Sequence, residues 1–177
     1  FFKERKIMAT IKIENNGTNL PELNVQLLYV TEADSKTEWH STPHIHPFAE
    51  IFYVTNGKGL FWVEGKSFPV IEDDIILVNS NINHTEMKDQ NHPFNYIVLG
   101  VSGINFDTLK HENFSIINYR KHKHDILHYL RSIVSEATNK EEHYQDIIDK
   151  LLKILLINMM RRESDLELTP ELSEKIS

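Results

Sequence analysis

The chain has 177 residues, 40% hydrophobic and 25% charged, a balance that suits one compact folded unit and excludes a disordered, collagen-like or fibrous chain. Its formal net charge of -7 repels a phosphate backbone, so these residues are not expected to hold nucleic acid by themselves. There is no cysteine, which excludes a disulfide framework, a thiolate metal site and a cysteine nucleophile, and leaves histidine and carboxylates as the metal-binding side chains.

From about residue 7 to 118 the chain reads as short strands rich in β-branched and aromatic residues: Ile7 to Ile13, Asn24 to Val30, Ile51 to Thr55, Leu60 to Val63, Phe68 to Ile71, Ile75 to Val78 and Phe94 to Val101. Turn-forming clusters divide them: Asn15-Asn16-Gly17, Asn56-Gly57-Lys58-Gly59, Glu64-Gly65-Lys66, Asp73-Asp74 and Asn79 to Asn83. Many short strands with no helix among them predict a sandwich or barrel. The clearest hairpin is Leu60 to Ile71, split by Glu64-Gly65.

The period then changes. Ile126, Leu127, Leu130, Ile133, Val134 and Ala137 recur at spacings of three and four, as an amphipathic helix requires, and Asn139-Lys140 ends the run. A second helix carries Tyr144, Ile147, Ile148, Leu151, Leu152, Leu155, Leu156 and Met159 on one stripe, with Ile154, Ile157 and Met160 extending the apolar surface around it. A helix apolar nearly all round is buried on more than one side. One reading is a homodimer interface at Leu151, Ile154, Leu155, Ile157 and Asn158; the other is that the barrel and the first helix cover it all. The acidic, polar stretch after Arg162 suits a linker. The expected division is therefore a barrel over 1–120, a helical pair over 121–162 and a linker over 163–177. The run Leu151 to Met160 is too short to span a bilayer, and the N-terminal FFKERKIM lacks the apolar core of a signal peptide, so a soluble cytoplasmic protein with no membrane partner is expected.

The chemistry concentrates in residues 40 to 59. His44, His46 and Glu50 share strand parity, and His84 follows the polar loop Asn79 to Asn83. Imidazoles with a carboxylate suit a divalent transition metal. They equally suit polar contacts to a small molecule, or a set held by internal hydrogen bonds. Phe52 shares the histidines' parity, Trp62 offers a ring for stacking on a ligand such as a sugar, and Tyr96 comes next as a ligand contact. His40 and His92 sit near enough to be rim residues, and His122, His124 and His128 read as surface.

The spacing from His44-x-His46 through Glu50 to Gly57 resembles the first cupin motif. In cupins such histidines and glutamate, with one histidine of a second motif, ligate a metal inside the barrel; the resemblance implies His44, His46, Glu50 and His84 as that set. The second motif is partial. Asp73-Asp74 stands where cupins carry Gly-Asp, and Asn81-Ile82-Asn83-His84 lacks the proline and glycine that precede the histidine. The order of elements over roughly residues 20 to 162 is similar to the N-terminal sensing domain of AraC-family transcription regulators. That likeness implies a mainly β fold, a cupin-type double-stranded β-helix (jelly-roll) barrel followed by two antiparallel helices. It further implies a barrel that binds a small-molecule effector, often a sugar, helices that dimerise, and DNA contact through a C-terminal helix-turn-helix domain that the fifteen residues after Arg162 are too few to supply. The alternative is a metal-dependent cupin enzyme of dioxygenase or isomerase type using the same four residues. The partial second motif and the surplus apolar helix surface favour the non-enzymatic sensor.

Overall fold

The computed structural model describes residues 9–14, 22–34, 42–107 and 113–162, and the backbone of 167–170. Eight strands come first: β1 (Gln26–Ala33), β2 (Ala49–Val63), β3 (Lys66–Ile71), β4 (Asp74–Val78), β5 (His84–Lys88), β6 (Phe94–Ser102), β7 (Ile104–Asp107) and β8 (Phe114–Asn118). Helices α1 (Lys123–Asn139) and α2 (Tyr144–Arg162) follow, and a short strand β9 (Glu167–Pro170) pairs antiparallel with β7. The architecture is the expected mainly β one, an antiparallel sheet followed by paired helices.

Strand β2 is the spine of the fold. Its first half pairs with β6 and β4, giving the order β1-β6-β2-β4-β8, and its second half pairs with β3 and β5. The cluster Asn56-Gly57-Lys58-Gly59, expected as a turn, runs inside this one strand. A bulge between Val54 and Asn56 shifts the register, Gly57 takes a φ of 79°, and the strand bends from one sheet into the other. Any Cβ at Gly57 would run into the carbonyl of Pro93.

The bulge also reverses which residues face inward. Phe52 and Val54 before it, and Phe61 and Val63 after it, belong to one buried cluster with Val70, Ile76, Phe94 and Tyr96, the interior of the barrel. The β2–β3 hairpin turns as expected at Glu64-Gly65, both with positive φ, the conformation that matches the twist of the flanking strands.

The outer face of the same sheet is covered too. Ile51, Tyr53, Ile75, Leu77, Ile97 and Leu99 pack with Ile126, Leu130 and Ile133 of α1 and with Leu152, Leu155, Leu156 and Met159 of α2. Burial on both faces explains why β2, β4 and β6 read as apolar runs rather than strict alternations. The helices are antiparallel: Lys140 ends α1 in the left-handed conformation, and Arg162 at the end of α2 reaches Asp125 at the start of α1 at 3.0 Å. Among the described residues, no helix is long and apolar enough to cross a membrane.

Some expectations change. Ala9 to Glu14 are not strand, and Ile11 and Ile13 are exposed, because an alternating pattern makes a strand only where a partner edge receives it; Ile7, Met8 and Asn15-Asn16-Gly17 lie outside the described residues. Strands β5, β7 and β8 were not anticipated individually. Part of the stretch expected as a linker, Glu167–Pro170, is strand β9. Leu155, expected at a dimer interface, is fully buried in its own chain between α2 and the sheet, whereas Ile154 is 39% exposed and Leu151, Ile157 and Asn158 are half-buried.

Candidate functional site

The segment before β2 runs alongside the start of β5. His44 and His84 form an antiparallel bridge, exchanging N–H···O=C bonds of 3.0 and 3.2 Å, so their side chains stand on one face with ring centroids 4.6 Å apart. The N–H of Asn81 donates to the carbonyl of His46 at 2.9 Å, tying the loop before β5 to the segment before β2. Asn81 and Asp73 adopt φ of 61° and 70°, left-handed conformations usually left to glycine that asparagine and aspartate tolerate. The glycines missing from the second cupin-like motif therefore do not displace His84.

Three imidazoles converge on Glu50. Its Oε1 lies 2.5 Å from His46 Nε2, 2.7 Å from His84 Nε2 and 3.8 Å from His44 Nε2. Side-chain exposure falls from 42% at His44 through 15% at His46 to 4% at Glu50 and none at His84, so the cluster leads from solvent into the barrel. The other ring nitrogen of each histidine donates to the main chain: His44 Nδ1 to the Thr42 carbonyl at 3.0 Å, His46 Nδ1 to Phe48 at 3.1 Å and His84 Nδ1 to Ile82 at 2.7 Å. These bonds fix the ring orientations and aim three Nε2 atoms at one carboxylate oxygen. Nitrogen lone pairs and a carboxylate oxygen repel unless something positive stands among them, either protons on Nε2 or a metal ion.

The second carboxylate oxygen, Oε2, accepts a hydrogen bond from Tyr29 of β1. Tyr29 and Glu50 are both register partners of Gly100 on the strand between them. A Cβ at Gly100 would collide with the Tyr29 ring, so the glycine is what lets the phenol lie across β6.

Burial pushes the Glu50 carboxyl up, but hydrogen bonds from His84 and Tyr29 and the charges of His46 and His84 outweigh it and hold the group below its ordinary range. His84 moves the opposite way: burial lowers it, and the hydrogen bonds to Glu50 and to the Ile82 carbonyl, with the charges of Glu50 and Glu86, raise it on balance. Tyr29 and Tyr96 are raised, first by burial and then by Glu50 and Glu86 respectively.

The walls are aromatic. Phe48 stacks on His46 at 4.1 Å, Phe61 on His84 at 5.9 Å, and Phe52 meets His84 edge-on at 6.1 Å. Of the residues singled out from sequence, His44, His46, Glu50, Phe52 and His84 come together, and Tyr96 stands beside Phe52 with centroids 5.7 Å apart. Trp62 does not join them. Its neighbours Phe61 and Val63 point inward, so alternation puts the indole on the outer face, a consequence of the bulge that parity counting from the histidines could not see. His92 pairs with Asp89 and His122 with Asp125 at the surface, and His40 lies outside the described residues.

Two polar members were missed: Tyr29 and Glu86. Glu86 follows His84 at the same parity on β5, and that alternation was the available signal. Tyr29 is brought in by β1 pairing with β6, a long-range contact that no local pattern announces. A separate cavity of about 430 Å³ lies between β1 and the helical pair, lined among others by Leu27, Tyr29, Ala137, Lys140, Tyr144 and Ile148.

The donor set fits a divalent transition metal: the candidate ligand atoms of His44, His46, Glu50 and His84 all lie within 4.8 Å of one another.

The family model for AraC-like ligand binding domains matches residues 28–156. None of the curated proteins matches the chain. Among solved structures, an apo variant of ToxT from Vibrio cholerae is 12% identical with a TM-score of 0.54, over 81% of this chain and 59% of that one. Wild-type ToxT with bound unsaturated fatty acid is 15% identical with a TM-score of 0.51, over 81% of this chain and 56% of that one. A cupin protein from Bacteroides fragilis is 15% identical with a TM-score of 0.35, over 41% of this chain and 61% of that one. The chain thus spans a little under three fifths of the two ToxT chains, and at these identities the likeness is one of fold.

Proposed function

From the premise that this chain belongs to the family of AraC-like ligand binding domains, we propose that it senses a small-molecule effector for an AraC-type transcription regulator. The observation that carries the reading is the cluster of His44, His46, Glu50 and His84, graded from solvent at His44 to complete burial at His84 and walled by Phe48, Phe52 and Phe61. Few polar groups aimed from apolar walls are what a small-ligand site requires. A fatty acid bound in ToxT supports ligand binding on this fold.

The effector enters past His44 and contacts His46, Glu50 and His84. The net charge of -7 supports DNA contact through a separate domain rather than this one. The homodimer forms through the outward side of α2, at Leu151, Ile154, Ile157 and Asn158, beside the buried Leu155. Effector binding changes transcription only if it favours one arrangement of the attached domains over another. The sheet wall offers a route, because its inner face bears Glu50 and Phe52 while its outer face, at Ile51 and Tyr53, packs in the same core as both helices.

A second reading has its own support: the cluster binds a divalent transition metal through His44, His46, Glu50 and His84. The supporting observation is the set of three Nδ1–H bonds to main-chain carbonyls, which leaves three Nε2 lone pairs on one side of one carboxylate. Such a metal would supply Lewis acidity toward an oxygen of the bound molecule. In a cupin enzyme the same site would turn over its ligand.

The test is a thermal-shift screen of metabolites on the chain. An effector raises the melting temperature, and Glu50→Gln and His46→Ala abolish the rise while Trp62→Phe keeps it. A ligand whose effect survives both cluster variants would place its site elsewhere, and chemical conversion of the ligand would replace the sensor with the enzyme.

A further inference from the structure

Glu86 on β5 is the second carboxylate of the barrel interior. It shares the parity of His84, stands opposite Phe61 of β2, and accepts a hydrogen bond from Tyr96 on its Oε1 at 3.0 Å. Tyr96 is itself buried among the interior aromatics. The Oε2 of Glu86 is buried as well, yet among the described residues no donor reaches it. Leaving a buried carboxylate oxygen without a donor is costly, and folded proteins leave few such atoms.

Its surroundings narrow what the missing donor can be. The charged groups that bear most on Glu86 are His44 and Glu50, and those that bear most on Glu50 are His46 and His84. Each carboxyl is also held by a tyrosine, Glu50 by Tyr29 and Glu86 by Tyr96. The histidines already have partners for Nδ1 on the main chain, and two of the three Nε2 atoms lie within 2.7 Å of Glu50. Among the described residues, Glu86 Oε2 is therefore the acceptor of this group that no donor meets.

Resting on the sensing function set out above, we propose that Glu86 anchors the effector through Oε2, and that the effector is a neutral or positively charged molecule presenting hydrogen-bond donors, a polyol or an amine, rather than a carboxylate. A hydroxyl or ammonium donor completes the coordination of Oε2. A ligand carboxylate would set acceptor against acceptor there, close to the second carboxylate at Glu50. Selection of this kind is strong because the rejected class leaves buried polar groups unpaired.

The experiment uses thermal shift and then calorimetry on the chain with three probe panels: pentoses and hexoses, primary amines, and straight-chain carboxylates. A member of the first or second panel is expected to stabilise the protein, and the two panels separate polyol from amine. In Glu86→Gln the amide can turn a donor toward the ligand where an acceptor is required, and affinity falls roughly tenfold to a hundredfold, as it does in Glu86→Ala. Glu86→Gln keeps the shape of the side chain and carries the test should Glu86→Ala not fold. Stabilisation by a carboxylate, silence from every polyol and amine, or a polyol or amine that binds both Glu86 variants unchanged overturns the assignment. If that last ligand is lost in Glu50→Gln, Glu86 alone was misassigned; if Glu50→Gln also binds it unchanged, the barrel is not the sensing site.

Discussion

The ring of Tyr29 lies across Gly100, in the space a side chain at that position would occupy, and from there its hydroxyl reaches Glu50 on the next strand. Three adjacent strands, β1, β6 and β2, thus share one structural unit that is also part of the candidate site.

Gly100→Ala is expected to drive the Tyr29 ring from β6 and to destabilise the fold by about 1–3 kcal/mol, the usual cost of overpacking. Tyr29→Phe keeps the ring and removes the hydroxyl alone, at about 1–3 kcal/mol for a hydrogen bond to a charged acceptor. Urea denaturation of both variants checks this. A Gly100→Ala protein as stable as the parent would mean the ring has somewhere else to go.

Loading the protein with zinc, nickel or cobalt is expected to raise its melting temperature, with chelation reversing the rise and His46→Ala or Glu50→Gln weakening it. Elemental analysis after gel filtration counts the bound ions. Retention equal in the parent and the Glu50→Gln variant would refute the metal reading.

In chelator-treated protein the cluster should stabilise the fold most between about pH 4.5 and 6.5. Glu50 is lowered in the folded state, so its contribution is present above its ordinary value and lost as pH falls below it. His84 is raised, so its contribution is complete below its ordinary value and lost as pH rises past it. The difference in melting temperature between the parent and Glu50→Gln, followed across pH, should be widest inside that window. A difference that keeps growing toward alkaline pH would contradict the assigned direction for His84.

The two sides of α2 should respond differently. Leu155→Ala removes a fully buried side chain between helix and sheet and should cost about 2–5 kcal/mol. Ile154→Glu puts a charge on the exposed side and should leave the fold intact while dissociating the proposed dimer in sedimentation experiments. Unchanged sedimentation of Ile154→Glu would remove this surface from the interface.

Trp62→Ala should leave effector binding in place, since the indole lies on the outer face of the barrel. Calorimetry with whichever effector the screen yields decides it, and a lost signal would mean that the outer face contributes to the site.

Much of this was legible in the residues themselves. Parity counting grouped His44, His46, Glu50 and Phe52; it holds as a strand period of two only for Glu50 and Phe52, whereas His44 and His46 lie before β2 and His44 is seated by its bridge to His84. The spacings of three and four identified both helices, while Ile154 and Ile157, among the surplus apolar residues of α2, are left exposed or half-buried within the chain itself. The position of Leu155 was misjudged because a helix's pattern says how much of its surface is apolar, not which partner covers each residue.

The sequence by itself determined a β-rich part followed by two helices, since that follows from local periodicity, and the resemblance of its motifs implied that His84 joins His44, His46 and Glu50. Only the tertiary structure decided the rest. The bulge after Val54 turned Trp62 outward and Phe61 inward, a one-residue shift in register that reverses every later face. Strand pairing across β6 delivered Tyr29 to Glu50, and closure of the barrel set Glu86 beside Tyr96 with one oxygen that no donor among the described residues answers. Contacts between residues distant in sequence depend on how strands pair and where they bend, which no local pattern encodes.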